Sequence, residues 1–212
     1  MLRTLTAISL SLCFTACVIT PGPSASTGVE PGSSKVSKRN DPLGGFVPDL
    51  PISESPFDQV HVSWKQRLDQ PYVFMERRGD YTETGAFIAT VHREMIAQGL
   101  EPDGPPFALY FDDPGKVETS QLRSRICMPV AGQRSPAEPL GYDVLPSVTV
   151  VYAFVSGPYP DVARSYPGLY AFMDRMDWTE NGPLRETYLV PPSAVDDFSQ
   201  LVTEVQIPVA LE

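Results

Sequence analysis

Glu186 stands in the stretch Pro183-Leu184-Arg185-Glu186-Thr187-Tyr188-Leu189. Strand alternation puts Leu184, Glu186 and Tyr188 on one face and Arg185, Thr187 and Leu189 on the other. A carboxylate among apolar and aromatic neighbours is costly to desolvate, and its pKa rises unless a partner meets it. Two chemistries suit such a group. It can be the counter-charge for a lipophilic cation, with aromatic rings adding stacking and cation–π attraction, or a general acid/base toward a bound substrate. A solvated glutamate, or one paired with Arg185 or Arg164, is the plain alternative.

For the first chemistry the available rings are Tyr188, Tyr110, Tyr152 and Phe154, with Phe74 at the place matching Tyr152. For the second, Tyr159 follows Gly157-Pro158 at a strand-to-helix junction, where its phenol would orient a substrate or donate a proton.

An internal repeat positions these residues. At an offset of 78, Tyr72–Tyr81 aligns with Val150–Tyr159, matching Val73 to Val151, Gly79 to Gly157 and Tyr81 to Tyr159. The same offset matches Met95 to Met173, Tyr110 to Tyr188 and Ala108 to Glu186, and one residue more matches Pro129 to Pro208. The fold can therefore do without a carboxylate at this place, and Tyr159 has a twin that packs an equivalent turn.

Each copy reads as a β-rich run (62–78, 147–155), an amphipathic helix (84–98, about 160–176) and two short strands. The strands are 106–112 with 123–130, then 184–190 with 201–209. Gly99 stops the first helix, and Pro167 should distort the second. The expectation is an α+β domain: tandem strand-helix-strand-strand repeats, about 57–132 and 140–212, forming a mostly antiparallel sheet with two helices on one face and a cleft on the other. Val151, Ala153 and Val155 suit the helix side, which assigns Tyr152 and Phe154 to the cleft.

The chain begins MLRTLTAISLSLCFTAC, a basic start and a short apolar run laid out as a secretory signal over 1–16. Phe14-Thr15-Ala16-Cys17 resembles a bacterial lipobox with Phe in place of the usual Leu, Val or Ile, so Cys17 is the expected lipidation site. The expected location is the cell envelope, anchored to a membrane, and Val18 resembles the residue of lipoproteins sent to an outer membrane. Between 18 and 56, Pro, Gly and Ser fill 19 of 39 positions without helical or strand period, the composition of a flexible tether over 17–56. Cys127 is then left without an intramolecular partner.

Residues 57–212 carry 12 Lys and Arg against 22 Asp and Glu, a charge that repels phosphate backbones and argues against nucleic acid as a partner. With His61 and His92 as the only histidines, no multi-histidine metal site is possible. No phosphate loop or nucleophile elbow is present, and no cofactor is expected.

Several motifs together carry a resemblance: Gly157-Pro158-Tyr159, Gly182 to Tyr188, Thr203 to Val209, Tyr110 to Gly115 and Cys127 to Val130. In their order and spacing they are similar to the GyrI-like small-molecule-binding family, the effector domain also found behind DNA-binding domains in AraC-type and MerR-type multidrug regulators. The resemblance covers about 60–210. It implies a duplicated fold with a ligand cleft between the halves, Glu186 as the buried glutamate, and hydrophobic small molecules, often cationic and aromatic, as ligands. Hydrolysis of reactive small molecules by Glu186 and Tyr159 is a second implied activity. Haem binding through His61 or His92, as in the SOUL family of the same fold, is a third. The signal and tether stand where regulators carry a DNA-binding domain.

Overall fold

The computed structural model describes residue 43 and residues 45–211. Its elements run β1 (Ser63–Arg67), β2 (Gln70–Arg78), α1 (Thr84–Ala97), β3 (Phe107–Tyr110), β4 (Arg123–Pro129), β5 (Gly141–Leu145), β6 (Val148–Ser156), α2 (Tyr166–Met176), β7 (Trp178–Glu180), β8 (Leu184–Tyr188) and β9 (Val202–Leu211). The named strands pair antiparallel throughout, in the order β1-β6-β9-β8-β3-β4-β2-β5, and β7 adds to β9.

That order is palindromic under the repeat: β1 exchanges with β5, β6 with β2, β9 with β4 and β8 with β3. A pseudo-twofold axis therefore passes between β3 and β8, where Ala108 and Glu186 face each other in register. The runs expected as one β-rich segment per copy are two strands each, and these do not pair with their own neighbours. β1 pairs with β6 of the other repeat, and its twin β5 pairs with β2. The halves thus exchange their first strands.

The helices form from their buried spacing. Val91 and Met95 of α1 pack on Val73, Ile126 and Met128, and Leu169 and Met173 of α2 pack on Val151, Ala153, Val205 and Ile207. Each such side chain, wholly removed from water, contributes roughly 1.5–3 kcal/mol. Both pairs stand four residues apart, one turn along the helix. Gly99, at φ +70°, ends the first helix as expected. The second is shorter than expected: residues Tyr159–Ser165 form a 3-10 turn, and Pro167 lies in the first turn of α2, where its missing N–H costs nothing.

Only two residues, Pro146 and Ser147, join β5 at one edge of the sheet to β6 near the other. The sheet must curl for this connection to close, and Arg67 Nη2 donates to the Pro146 carbonyl at 3.1 Å across the seam. The helix-free face lies inside the curl and is a second core of Tyr72, Phe107, Leu109, Cys127 and Leu145. Cys127 is a buried free thiol.

The expected tether overreaches at its C-terminal end. Ser53 bridges to Val155, donating its N–H to the Phe154 carbonyl at 2.8 Å and accepting from Ser156 at 2.9 Å, so the chain before β1 is already docked there. Residues 1–42, with the expected signal and Cys17, lie outside the described residues. Among the described residues no helix is long and apolar enough to cross a membrane.

Candidate functional site

α1 sits over β2 and β4, and α2 over β6 and β7. The central strands β3 and β8 are left open between the helices, and there a cleft of about 700 Å³ forms. It therefore lies on the helix-bearing face, which corrects the expected placement on the opposite one. The reason is the curl: with the sheet's other face closed on itself, the gap between the helices is what remains.

Glu186 points into this cleft from β8, 4% exposed. Three phenols surround its carboxyl. Tyr110 and Tyr188 each hydrogen-bond Oε2 at 3.1 Å and each other at 3.0 Å, and Tyr166 donates to Oε1. No ion pair to Glu186 is present among the described residues: Arg185 points to the other face, and Arg164 is exposed. Burial raises the Glu186 pKa above its ordinary value, opposed by the phenol hydrogen bonds. Tyr110, Tyr166 and Tyr188 are likewise raised well above the usual phenol range, by burial first; the nearby carboxyl comes second for Tyr110 and Tyr166, and after Tyr110 for Tyr188.

The cluster has four O···O contacts, and three phenols bring three hydrogens. A protonated Glu186 supplies the fourth, so the cluster is best satisfied with a neutral carboxyl. A carboxylate leaves one contact without a bridging hydrogen.

The flanking rings repeat the pseudo-symmetry. Tyr81 packs tilted against Tyr110 with ring centroids 4.7 Å apart, and Tyr159 against Tyr188 at 4.4 Å. Their hydroxyls are tied to main chain: Tyr81 to the carbonyls of Arg123 (2.9 Å) and Asp112 (3.2 Å), Tyr159 to that of Val190 (3.1 Å). Gly79 and Gly157, at φ +123° and +133°, make the turns that deliver both rings. Gly85 on α1 gives the Tyr159 ring its room, since a Cβ there would come within 3.2 Å of it. Tyr159 thus walls the cleft with its ring, and its hydroxyl is committed away from Glu186.

Of the residues singled out in sequence, Glu186, Tyr188, Tyr110 and Tyr159 come together here. Tyr152, Phe154 and Phe74 do not. Tyr152 and Phe154 lie on the opposite face of β6, with the Tyr152 hydroxyl on Asp49 (2.8 Å) and the Phe46 ring against Phe154. Phe74 lies on Gly141 and under the Arg125 guanidinium, 4.0 Å from its ring centre. Their alternation was read correctly, but the cleft took the aliphatic side. His61 and His92 are exposed and neither lines the cleft.

Sequence reasoning missed Tyr166 and Tyr170, which line the cleft from α2. Their i, i+4 spacing was the available signal, obscured by Pro167 between them. The mouth carries Asp80, Asp112, Asp113 and Glu180 against Lys116, with Asp112 paired to Arg123 and Asp113 to Lys116, which leaves it acidic on balance.

The profile of the GyrI-like small molecule binding domain matches residues 62–210. The chain belongs to this family. The C-terminal domain of EcmrR has the same fold, at 19% identity and TM-score 0.65, over 72% of this chain and 99% of that one. In a complex of EcmrR with DNA the likeness spans 71% of this chain and 57% of that chain, at 19% identity and TM-score 0.65. A hydrolase from Listeria innocua shares the fold at 9% identity and TM-score 0.50, over 76% of this chain and all (100%) of that one. No curated protein sequence matches the chain.

Proposed function

We propose that this GyrI-like domain binds hydrophobic aromatic cations in the cleft, and that it does so at the cell envelope, held to a membrane through a lipid on Cys17. The observation that carries the ligand class is Glu186, buried among phenols with no cationic side chain paired to it among the described residues. A cation entering the cleft supplies the missing partner, takes the place of the carboxyl proton, and finds the rings of Tyr81, Tyr110, Tyr159 and Tyr188 around it. The acidic mouth favours the same sign of charge. The location rests on the signal-like start and lipobox-like Cys17.

A hydrolytic reading is favoured by one feature, a protonatable buried carboxyl with a phenol on each oxygen. The phenols on it are Tyr110, Tyr166 and Tyr188, while that of Tyr159 is engaged at Val190. A substrate would have to displace one of the three.

Calorimetric titration with lipophilic aromatic cations and neutral isosteres, beside Glu186→Gln, tests the binding reading. The variant should lose about 10- to 100-fold in affinity for the cations, or about 1.4–2.7 kcal/mol, and little for the neutral compounds. Equal losses for both classes would reject the counter-charge role. Turnover of a neutral ester or strained-ring substrate, abolished in Glu186→Gln, would move the assignment to hydrolysis.

A further inference from the structure

Behind the cleft, inside the curl of the sheet, lies a second charged cluster of the opposite sign. Arg67 on β1 and Arg185 on β8 are 8% and 5% exposed. Arg67 Nε and Nη1 and Arg185 Nε are buried without a hydrogen-bond partner, as is the hydroxyl of Thr187 two residues along β8 from Arg185. The Arg185 guanidinium rests on the Phe107 ring, 4.1 Å from its centre.

The nearby carboxylate is already committed. Glu204 accepts from Lys65 Nζ at 2.6 Å and from Gln206 Nε2 at 3.0 Å. Neither Arg67 nor Arg185 forms an ion pair among the described residues. Both guanidiniums stay charged at neutral pH even though burial lowers each to about 10. Both side chains belong to the helix-free face of the sheet, Arg67 opposite Val148 on β6 and Arg185 opposite Gln206 on β9. Gln206 Oε1, opposite Arg185 in register, is a buried free acceptor that can take one N–H and leaves the others open.

Buried donors of this kind require a partner, and buried like charges require a counter-charge. Water meets the first need and leaves the second. We propose that Arg67 and Arg185 together hold a small anion of halide or carboxylate size inside the curl. The Thr187 hydroxyl is a further donor to it, and the Phe107 ring closes one side. Because Arg185 and Glu186 are adjacent on β8 and point to opposite faces, one strand would then present a cation site to the cleft and an anion site to the interior.

Bromide is the probe. In crystals of the full chain grown with bromide, an anomalous peak within hydrogen-bond distance of Arg185 Nε and an Arg67 nitrogen is expected. Water or empty density between the two arginines, or bromide only at the surface, would overturn the proposal. In solution, thermal unfolding of the full chain is followed against chloride, bromide, nitrate and acetate at constant ionic strength. A concentration tenfold above half-saturation should raise Tm by about 3–6 °C for at least one of these anions. The rise should vanish in Arg185→Met. If that variant does not fold, Arg67→Lys, which keeps the charge and gives up the fork of donors, should reduce the rise. An equal rise in wild type and variant would mark general salt screening and reject the site.

Discussion

The two halves of the sheet carry nearly the same cleft wall, and they differ where the chemistry is. Tyr110 and Tyr188 are equivalent, as are Tyr81 and Tyr159, down to the tilted ring contact and the main-chain carbonyls that hold the outer pair. Glu186, by contrast, answers to Ala108, and Tyr166 to Ile88. The axis explains the first difference. A residue beside it faces its own twin directly, with Cβ atoms about 4.5–5.5 Å apart. Two glutamates there would be like charges in a buried site, so only one half can carry the carboxyl and the other must be small. Duplication built the walls, and its breaking at the axis built the site.

Restoring symmetry at the axis should do the most damage. Ala108→Glu places a second carboxyl opposite Glu186 in a fully buried position, and should cost at least about 3 kcal/mol, or about 6–12 °C in Tm. Combining it with Glu186→Ala, which moves the carboxyl instead of adding one, should recover more than half of that loss in the same melting experiment.

The next effect is on pH. With its pKa raised in the folded state, Glu186 holds a proton more tightly there than in the unfolded chain. Its contribution is therefore most favourable below the ordinary glutamate range. It declines as pH rises through that range toward the raised folded value, with a slope of up to about 1.4 kcal/mol per pH unit. Denaturant melts across pH should show this decline in wild type and its loss in Glu186→Gln. Cation affinity should run the other way and strengthen as Glu186 deprotonates.

Making α2 resemble α1 is a smaller change. Tyr166→Phe removes one donor to the carboxylate, worth about 1 kcal/mol, and should move the pH midpoint of cation binding upward by about 0.7 unit. Smallest is the contrast between the outer tyrosines. The Tyr81 hydroxyl also accepts from the Asp112 N–H at 3.1 Å, whereas that of Tyr159 meets a single carbonyl. Tyr81→Phe should therefore cost about 1 kcal/mol in chemical denaturation and Tyr159→Phe about half as much.

Much of this was legible in the residues. The repeat offset gave the strand equivalences and matched Ala108 to Glu186. The helical period grouped Phe87, Val91, Met95 and Ile96 in one helix and Leu169, Phe172, Met173 and Met176 in the other; Val91, Met95, Leu169 and Met173 are buried, while Phe87, Ile96 and Met176 are exposed. Alternation sorted Tyr152 and Phe154 from Val151 and Ala153, but alternation says which residues share a face and not which face stays open. That depends on the two-residue link at Pro146-Ser147, a tertiary constraint with no local pattern. The exchange of β1 and β5 was hidden for the same reason, since a strand's composition does not name its partner. Tyr166 was missed because a helix-distorting proline follows it, where the fold uses that proline to begin the helix.

The exchanged strands also set an order of events. β1 is made early, yet its register partners, from Ser63 opposite Tyr152 to Arg67 opposite Val148, belong to the later repeat, while β2 waits for β5 to complete its edge. The first repeat therefore emerges with an unpaired edge and no means of finishing its own sheet. The pairing of β1 therefore waits for β6 (Val148–Ser156) and is long-range, while β2, β4 and β3 can pair within the first repeat.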